Sequence, residues 1–468
     1  RLSLGVRACF SRAGCSVQLS FEFGPMVITA PETARLNGSS APATSPSFMI
    51  QLIRDLFPLS RSVTGSGLRR TLARIRREIP LTICEVPSGT RVFDWEIPRE
   101  WNIREGWIET LGGRRVVDLS ASNLHVMSYS GSVDRVVSRE ELAAHVHTLP
   151  NQPNSIPYRK SYFGNGWAFC LPHTTWLSMQ DDAYRVRIDS EFSAGSLSYG
   201  ELLIPGVEPE EFVISAHCCH PSLANDNLSG IAVATELARM LLARKNRLSY
   251  RFLFIPATFG SLAWLAKNEP LLRRIRHGLV LSCVGDPGPF HYKQSRRGVT
   301  PIDRAVARVL AERNEPFNIL PFRPDGCDER QFCSPAYNLP FGCFMRSPNG
   351  TFPEYHTSAD DLDFIQEGAL QGSLAVLIEV VELIEENVTY VRRDGRGEPF
   401  LSRHGLYQAL TGEEAAEATM QLAVQWVLNL SDGENDILDI VERSGLSHTQ
   451  LIAAARAARQ VDLITATN

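Results

Sequence analysis

One short stretch of the sequence concentrates side chains that can bind a metal ion. It runs from residue 217 to residue 230 and holds two imidazoles, His217 and His220, together with the carboxylate of Asp226. Nitrogen and carboxylate donors in combination suit zinc. One histidine alone is more often structural, but two histidines and an aspartate in one stretch favour a metal or catalytic site.

The neighbouring sequence predicts where this stretch lies in a fold. An apolar, β-branched run at residues 212–216 predicts a buried strand before it, and an apolar run at 231–242 predicts a largely buried helix after it. Open α/β sheets bind their ligands where strands end and helices begin. We therefore expect the imidazoles and the carboxylate to face a ligand site.

The alternation of strands and helices continues along the chain. Strands are predicted at 250–255, 278–284 and 342–346, and helices at 262–268, 301–313 and 368–386. Repeated strand–helix units indicate an α/β fold in which helices cover both faces of a mostly parallel sheet.

Three more polar clusters follow predicted elements of this kind. Asp286 comes just after the strand at 278–284, Asp328 and Glu329 lie in a turn-rich loop, and His356 stands among carboxylates before a helix. Taken singly, each is typical of a cap or a surface turn. Their recurrence at successive strand ends favours one shared site.

The order of these residues resembles the co-catalytic zinc aminopeptidases, a superfamily that includes glutamate carboxypeptidase and glutaminyl cyclase. The runs that carry the resemblance are Cys219-His-Pro-Ser-Leu-Ala-Asn-Asp-Asn-Leu-Ser-Gly230 and Glu354-Tyr-His-Thr-Ser-Ala-Asp360. The sequence is most similar to a bacterial group of aminopeptidase-like proteins with an inserted β-domain and a C-terminal winged helix. The resemblance covers residue 48 to the end. It implies a mixed, mainly parallel sheet sandwiched by helices, and one or two zinc ions.

The resemblance also implies a role for each matching residue. Asp226 corresponds to the carboxylate that bridges two metals, His217 to a ligand of the first metal, Asp286 to the late acidic ligand and His356 to the final histidine. The superfamily has an aspartate two residues after the first histidine. Cys219 stands there in this chain, and His220 is an additional donor, so either His217 or His220 is the expected ligand.

The sequence departs from the superfamily where a pair of glutamates is expected. The first glutamate of that pair is the general base and the second is usually a ligand, but here the positions hold Ala257 and Thr258. Neither side chain can accept a proton from water at neutral pH, and a positioned base contributes about 10²–10⁴-fold to a rate. A substitute base is therefore expected among Glu329, Asp328 and Glu354.

Two functions of different class fit these features. The first is a zinc-dependent hydrolase that cleaves an amide or acyl bond of a small amino-bearing substrate, such as a short peptide, an aminoacyl conjugate or a modified sugar. The second is a catalytically inactive protein that uses the aminopeptidase fold for binding or as a scaffold. The loss of the glutamate pair keeps both open.

Composition limits the partners. The 468-residue chain has 47 Lys and Arg against 52 Asp and Glu, so a net charge of −5 gives no electrostatic case for nucleic acid or an anionic membrane. It lacks any run of ~18 apolar residues, so no membrane span is predicted. Ten cysteines without regular spacing indicate reduced thiols in a cytoplasmic protein.

Changes in composition and in the pattern of apolar residues along the sequence predict four regions. Residues 1–47, rich in Ser, Ala, Gly and Pro, are expected to form a disordered extension. The zinc aminopeptidase-like domain is discontinuous, at 48–92 and 180–391. Short strands broken by polar turns predict an inserted β-rich subdomain at 93–179, and a winged-helix-like domain is expected at 399–468.

The C-terminal region has helix–turn–helix spacing, with helices predicted at 437–443 and 447–459 and Ser447 as an N-cap. A DNA-reading helix should be basic. The second helix offers only Arg456 and Arg459, so the expected partner is a protein or a second copy of this chain rather than DNA.

Overall fold

The computed structural model of the chain describes residues 47–164, 166–406 and 414–467. The extension predicted for residues 1–47 lies outside the described residues, except for Ser47, which caps the first helix.

The helices are α1 (Phe48–Leu56), α2 (Ser66–Ile75), α3 (Arg139–Ala143), α4 (His173–Ser178), α5 (Gly230–Leu242), α6 (Phe259–Asn268), α7 (Pro301–Glu312), α8 (Glu329–Phe332), α9 (Glu367–Glu385), α10 (Glu414–Leu430), α11 (Ile437–Ser444) and α12 (His448–Gln460). The strands are β1 (Thr82–Pro87), β2 (Arg91–Val92), β3 (Trp95–Glu96), β4 (Glu100–Thr110), β5 (Arg115–Asp118), β6 (Val133–Ser138), β7 (Val146–His147), β8 (Phe169–Cys170), β9 (Ala183–Ser193), β10 (Ser196–Ile204), β11 (Glu211–His217), β12 (Ser249–Ile255), β13 (Ile275–Leu281), β14 (Phe290–Lys293), β15 (Phe317–Leu320), β16 (Phe341–Met345), β17 (Tyr390–Arg392) and β18 (Ile464–Ala466).

The largest sheet of the described chain is mixed, which confirms the predicted fold class. It has eight strands in the order β1-β10-β12-β11-β13-β16-β14-β15. The four central strands, β12, β11, β13 and β16, run parallel, whereas β1, β10 and β14 make antiparallel pairs. The short strands β14 and β15 were not predicted, because four residues show too little periodicity to recognise.

The register of the central strands brings their carboxyl ends together. His217 at the end of β11 pairs with Ile255 at the end of β12, and Ala216 pairs with Leu281 at the end of β13. Leu281 in turn pairs with Phe344 of β16. The segments that leave these four strands therefore begin side by side at one edge of the sheet.

Burial explains why the central strands are so apolar. Every residue of β11 and of β12 is buried, because helices cover both faces of the sheet. One apolar core joins the sheet to α1, α2, α5, α7 and α9, and a second joins it to α6 and α8. The second core also includes Trp101 and Tyr129, which come from the β-rich insert.

The insert forms its own four-stranded sheet in the order β5-β4-β9-β6. Strand β9 pairs with both β4 and β6, although the sequence analysis placed its residues in the main domain, beyond the boundary at 179/180. Local sequence could not show this, because strands of either sheet have the same alternating pattern. Pairing with distant residues assigned β9 to the insert.

The C-terminal region is helical, with Ser447 as the N-cap of α12, as predicted. Helix α11 packs on α7 and α12 packs on α9, and their apolar side chains belong to the same core as the main sheet. The imidazole of His448 adds a 2.6 Å contact with the carboxylate of Glu312 on α7. In the described residues, no helix combines the length and apolar character needed to cross a membrane.

This continuous core predicts that the C-terminal helices and the main domain unfold together. Leu451→Ala in α12 should lower the free energy of unfolding by about 2–5 kcal/mol, because it leaves a cavity at a fully buried site. The measurement is urea denaturation followed by far-ultraviolet circular dichroism. The matched control is Leu422→Ala in α10, where the leucine is 44% exposed and the effect should be small. Two separate transitions, with only one shifted by Leu451→Ala, would contradict a shared core.

Candidate metal centre

Three imidazoles surround the carboxylate of Asp226. Nε2 of His217 lies 2.8 Å from Oδ1 of Asp226, and Nε2 of His356 lies 3.1 Å from Oδ2. His220 is more distant, with its Nε2 4.0 Å from Oδ2. Donor atoms of His217, His220 and Asp226 all lie within 4.8 Å of one another. The structure thus brings together four of the five predicted metal ligands.

The loop between β11 and α5 positions Asp226. The carboxylate of Asp360 accepts hydrogen bonds from the backbone N–H groups of Asn225, at 2.5 Å, and of Asp226, at 2.9 Å. The Asn227 side chain donates to the carbonyl of Leu281 on β13 at 2.9 Å. Asp360 had no assigned role in the sequence analysis, although it belongs to the run that starts at Glu354.

Helix α5 must begin with a glycine for this loop to pack. A Cβ on Gly230 would lie 2.5 Å from Oδ1 of Asn227 and 2.7 Å from the carbonyl oxygen of Leu281. Both distances are shorter than real Cβ contacts, so a larger residue would push α5 away from β13. Gly230 is therefore required by close packing rather than by its own backbone conformation.

The β-rich insert holds the loop that carries His356. Tyr158 donates its backbone N–H to the carbonyl of His356 at 2.8 Å, and Ser358 donates to the carbonyl of Ile156 at 2.8 Å. The Tyr158 ring packs edge-on against both His220 and His356, with ring centroids 5.1 Å apart in each case. The sequence around Tyr158 does not predict a role for it at this site, because the residues it contacts lie far along the chain.

A thiol orients His217. Sγ of Cys327 lies 3.2 Å from Nδ1 of His217, on the side of the ring away from Asp226. The ionised carboxylate of Asp226 has no proton to donate, so Nε2 of His217 is the donor in their 2.8 Å hydrogen bond, and Nδ1 faces the thiol. Metal-binding histidines commonly have their second nitrogen held in this way.

The protonation states suit a cation. Burial opposes ionisation of Asp226, but His220, His217 and His356 hold the pKa of that carboxyl well below its usual range. Burial lowers the pKa of His220 well below its usual value, which keeps the imidazole neutral. The buried atoms Oδ2 of Asp226 and Nε2 of His356 face each other at 3.1 Å and have no other hydrogen-bond partner among the described residues. A buried carboxylate surrounded by three imidazoles is a set of donors that fits zinc.

Asp286 is the predicted ligand that the structure does not bring to the cluster. Its Oδ1 accepts hydrogen bonds from Oγ of Ser347 at 2.6 Å and from N of Gly288 at 2.8 Å. Its Oδ2 accepts one from Asn225 at 2.8 Å. Both oxygens are thus engaged in joining the loop after β13 to its neighbours, so Asp286 supports the site from outside.

The segment that holds Ala257 and Thr258 lies beside the loop that carries His220. The carbonyl of Ala257 accepts a contact from Sγ of Cys219 at 3.7 Å, next to His220. Oγ of Ser261 bonds to both the carbonyl of Thr258 and Oδ1 of Asp328, each at 2.8 Å. Through Ser261, the carboxylate of Asp328 is therefore connected to the segment at 257–258, which has no carboxylate of its own.

The two predicted catalytic carboxylates differ in their surroundings. Burial raises the pKa of Asp328 to about 6, while Ser261 and His217 partly offset that rise. Its Oδ2 is buried without a hydrogen-bond partner in the described part of the chain. Glu329 points elsewhere and forms a buried ion pair with Lys293. Although they are adjacent in the sequence, Asp328 bonds to Ser261 and Glu329 pairs with Lys293.

Known structures define the class of fold. A zinc aminopeptidase from Bacillus subtilis aligns with a TM-score of 0.52 and 13% identity, over 72% of this chain and 94% of its own. An M28 peptidase precursor from Shewanella amazonensis aligns with a TM-score of 0.51 and 13% identity, over 73% and 93%. These likenesses show that the chain has the zinc aminopeptidase fold.

Sequence comparison defines the family. Residues 50–387 match a domain of unknown function, DUF4910, and residues 388–466 match a winged helix-turn-helix family. The chain belongs to the DUF4910 family. A Clostridium acetobutylicum protein, provisionally named a polysaccharide biosynthesis protein with an aminopeptidase-like domain, is 44% identical over 88% of this chain and 95% of its own. The crystal structure of a provisionally named peptidase from that organism aligns with a TM-score of 0.85 and 43% identity, over 90% and 96%.

The geometry predicts which carboxylate retains zinc. Asp226→Ala should abolish zinc retention, because it removes the carboxylate on which the three imidazoles converge. Asp286→Asn should retain zinc, since both oxygens of Asp286 are already bonded to the loop. The measurement is metal content by mass spectrometry after zinc loading and dialysis. Equal zinc in wild type and Asp226→Ala would refute the site.

Packing of the insert predicts a role for Tyr158 in metal affinity. Tyr158→Ala should weaken zinc binding by about 10-fold or more, because outer contacts orient the histidine ligands. Tyr158→Phe keeps the ring that packs on His220 and His356 and should bind zinc almost as wild type does. Competition with a chromogenic chelator measures both affinities. A loss of the same size in both variants would rule out ring packing as the cause.

Proposed function

We propose that the protein is a zinc-dependent hydrolase that cleaves an amide or acyl bond of a small amino-bearing substrate. The observation that carries this proposal is the buried carboxylate of Asp226, which has an imidazole nitrogen of each of His217, His220 and His356 within 4.0 Å of its oxygens. The aminopeptidase-like name of the Clostridium acetobutylicum relative supports the same chemistry. That name also refers to polysaccharide biosynthesis, so we include amide-linked sugars among the substrates.

The residues of the centre divide into ligands and supports. Asp226, His217 and His356 would hold one zinc ion, with His220 as a further donor. When bound there, zinc supplies Lewis-acid polarisation of the scissile carbonyl and lowers the pKa of water. Asp360 and Tyr158 keep the ligand loops in place.

We assign the general base to Asp328. Ala257 lacks the carboxylate that the superfamily uses, and Asp328 reaches the same segment from the loop before α8 through Ser261. A base works best when its pKa lies near the working pH, and the pKa of Asp328 is about 6. Ser261 fixes Oδ1, which leaves Oδ2 to accept a proton from water and return it to the leaving amine.

The C-terminal domain fits a protein-contacting role better than DNA reading. Arg456, one of two arginines on α12, pairs with Glu386 at 2.7 Å, and His448 at the start of α12 contacts Glu312. These interactions attach α12 to the main domain, so this helix does not offer a free basic face. We propose that the domain supports the main domain or a protein partner, including a second copy of the chain.

The cysteines of the described residues are free thiols. This agrees with a reducing compartment, and we propose a cytoplasmic location. The proposal is independent of the catalytic assignment.

The assignment of Asp328 predicts a pH-dependent rate. Asp328→Asn should lower kcat by about 10²–10⁴-fold on any amide that the wild type cleaves, because the proton acceptor is removed. The wild-type rate should rise with pH through about 6, as Asp328 loses its proton, and the variant should lack this limb. The assay uses the zinc-loaded protein and a panel of aminoacyl amides and N-acylated amino sugars. Asp363→Asn, at an exposed carboxylate, is the control.

A rescue experiment distinguishes a base from a structural residue. Adding Ala257→Glu to Asp328→Asn should restore part of the rate, because it places a carboxylate at the superfamily position. Zinc content must stay equal in all variants. Inactivity of the wild type across the whole panel would instead support the alternative, a binding or scaffold protein that has lost catalysis.

A further inference from the structure

A cavity of about 820 Å³ lies next to the metal centre. Tyr355 lines it and stacks on His356, with ring centroids 4.0 Å apart. Gly326 lines it as well and directly precedes Cys327, which contacts His217. Its volume falls in the range of about 300–1,000 Å³ that is usual for small-molecule sites. The cavity therefore has the position and size to hold the part of a substrate next to the scissile bond.

A buried ion pair forms one wall of this cavity. Lys293 pairs with Glu329, and its ammonium group also donates to the carbonyl of Asp325 at 2.6 Å. The close approach depends on Gly326, where a Cβ would lie 2.8 Å from Nζ of Lys293 and 3.3 Å from Oε1 of Glu329. Gly326 also has a φ of +92°, which disfavours any other residue. The conformation of the backbone at Gly326 thus makes room for the Lys293–Glu329 ion pair.

The pair leaves one acceptor unused. Oε2 of Glu329 is buried and has no hydrogen-bond partner among the described residues. A buried acceptor without a partner is costly, and a ligand that donates a hydrogen bond would relieve that cost. Because Lys293 already neutralises the carboxylate, a neutral donor fits better than a second cation. A hydroxyl group is such a donor, whereas the ammonium group of an amino acid would meet Lys293.

Part of the cavity lining is aromatic. Phe352 and Tyr355 both line the cavity, and their ring centroids lie 5.5 Å apart in an edge-on arrangement. An aromatic surface facing a few fixed polar groups suits a ligand that has both an apolar face and hydroxyl groups. A sugar ring has this character.

We propose that this cavity binds the sugar part of an amide-linked sugar substrate, and that Glu329 accepts a hydrogen bond from one of its hydroxyl groups. The inference rests on the proposed function, because it names the substrate class for the same centre. In this proposal Glu329 contributes to substrate specificity, and Asp328 carries out the proton transfer. The sequence analysis had grouped the two acids as alternative bases.

The test measures binding without catalysis. Ligand-observed NMR would determine the affinity of the full-length protein for N-acetylglucosamine, N-acetylgalactosamine and N-acetylmannosamine, with leucinamide as the ligand that lacks a sugar. At least one N-acetyl sugar should bind more tightly than leucinamide. Glu329→Gln should weaken sugar binding by about 10-fold, the effect of losing one hydrogen bond to a charged acceptor. Zinc content should not change, since Glu329 is not a ligand.

A second variant distinguishes the loss of a hydrogen bond to the sugar from a loss of the native fold. Lys293→Met with Glu329→Gln removes both charges at similar volume, which buried ion pairs often tolerate. It should show the same loss of sugar binding with a native circular dichroism spectrum. Unchanged sugar binding in both variants, or no binding of any sugar by the wild type, would overturn the proposal. Leucinamide binding that depends on Glu329 would overturn it too, in favour of amine recognition.

One further control separates this inference from the proposed function. The zinc-free Asp226→Ala variant should still bind the sugar, because the cavity residues are unchanged. If the wild type binds the sugar through Glu329 but hydrolyses no amide, the catalytic proposal fails and the binding site stands. If it hydrolyses aminoacyl amides and binds no sugar, the opposite holds.

Discussion

The buried carboxylate of Asp226 is the constraint on which the rest of the centre depends. Removing an ionised carboxylate from water costs several kcal/mol even after relaxation, so the fold must supply compensating positive charge or donors around it. Here the surroundings are three imidazoles, of which His217 and His356 lie within 3.1 Å. Contacts with the imidazoles offset only part of that cost. A divalent cation would offset the remainder, which is why this arrangement suits a metal.

Holding that carboxylate requires strained and irregular backbone. His356 has a φ of +56°, a conformation that costs a residue with a side chain about 1 kcal/mol or more. The insert offsets this strain through the hydrogen bonds of Tyr158 and Ser358. On the other side, Asp360 accepts two backbone N–H groups of the Asp226 loop, and burial raises its pKa to about 8. The β-rich insert is thus part of the centre and not an appendage.

The acids around the centre differ in their hydrogen-bond and ion-pair partners. Asp286 has both oxygens bonded to a loop, and Glu329 is paired with a lysine in a cavity wall. Asp328 has one oxygen fixed by Ser261 and the other unpartnered among the described residues. Ser261 also bonds to the carbonyl of Thr258, so Asp328 stands beside the segment that holds Ala257 and Thr258. A carboxylate from a different loop is therefore hydrogen-bonded, through Ser261, to this segment.

The sequence by itself determined the local features: the buried strand before His217, the helix after Gly230 and the type of side chain at each strand end. Periodicity and residue type act over a few residues, so these could be predicted, as could the convergence of Asp226 and His356 from the family resemblance. Only the tertiary structure decided that β9 belongs to the insert, that Tyr158 packs on two histidines, that Asp286 faces the loop and that Asp328 and Glu329 face different ways. These outcomes depend on which distant groups come within a few ångströms, and local patterns carry no information about such distances.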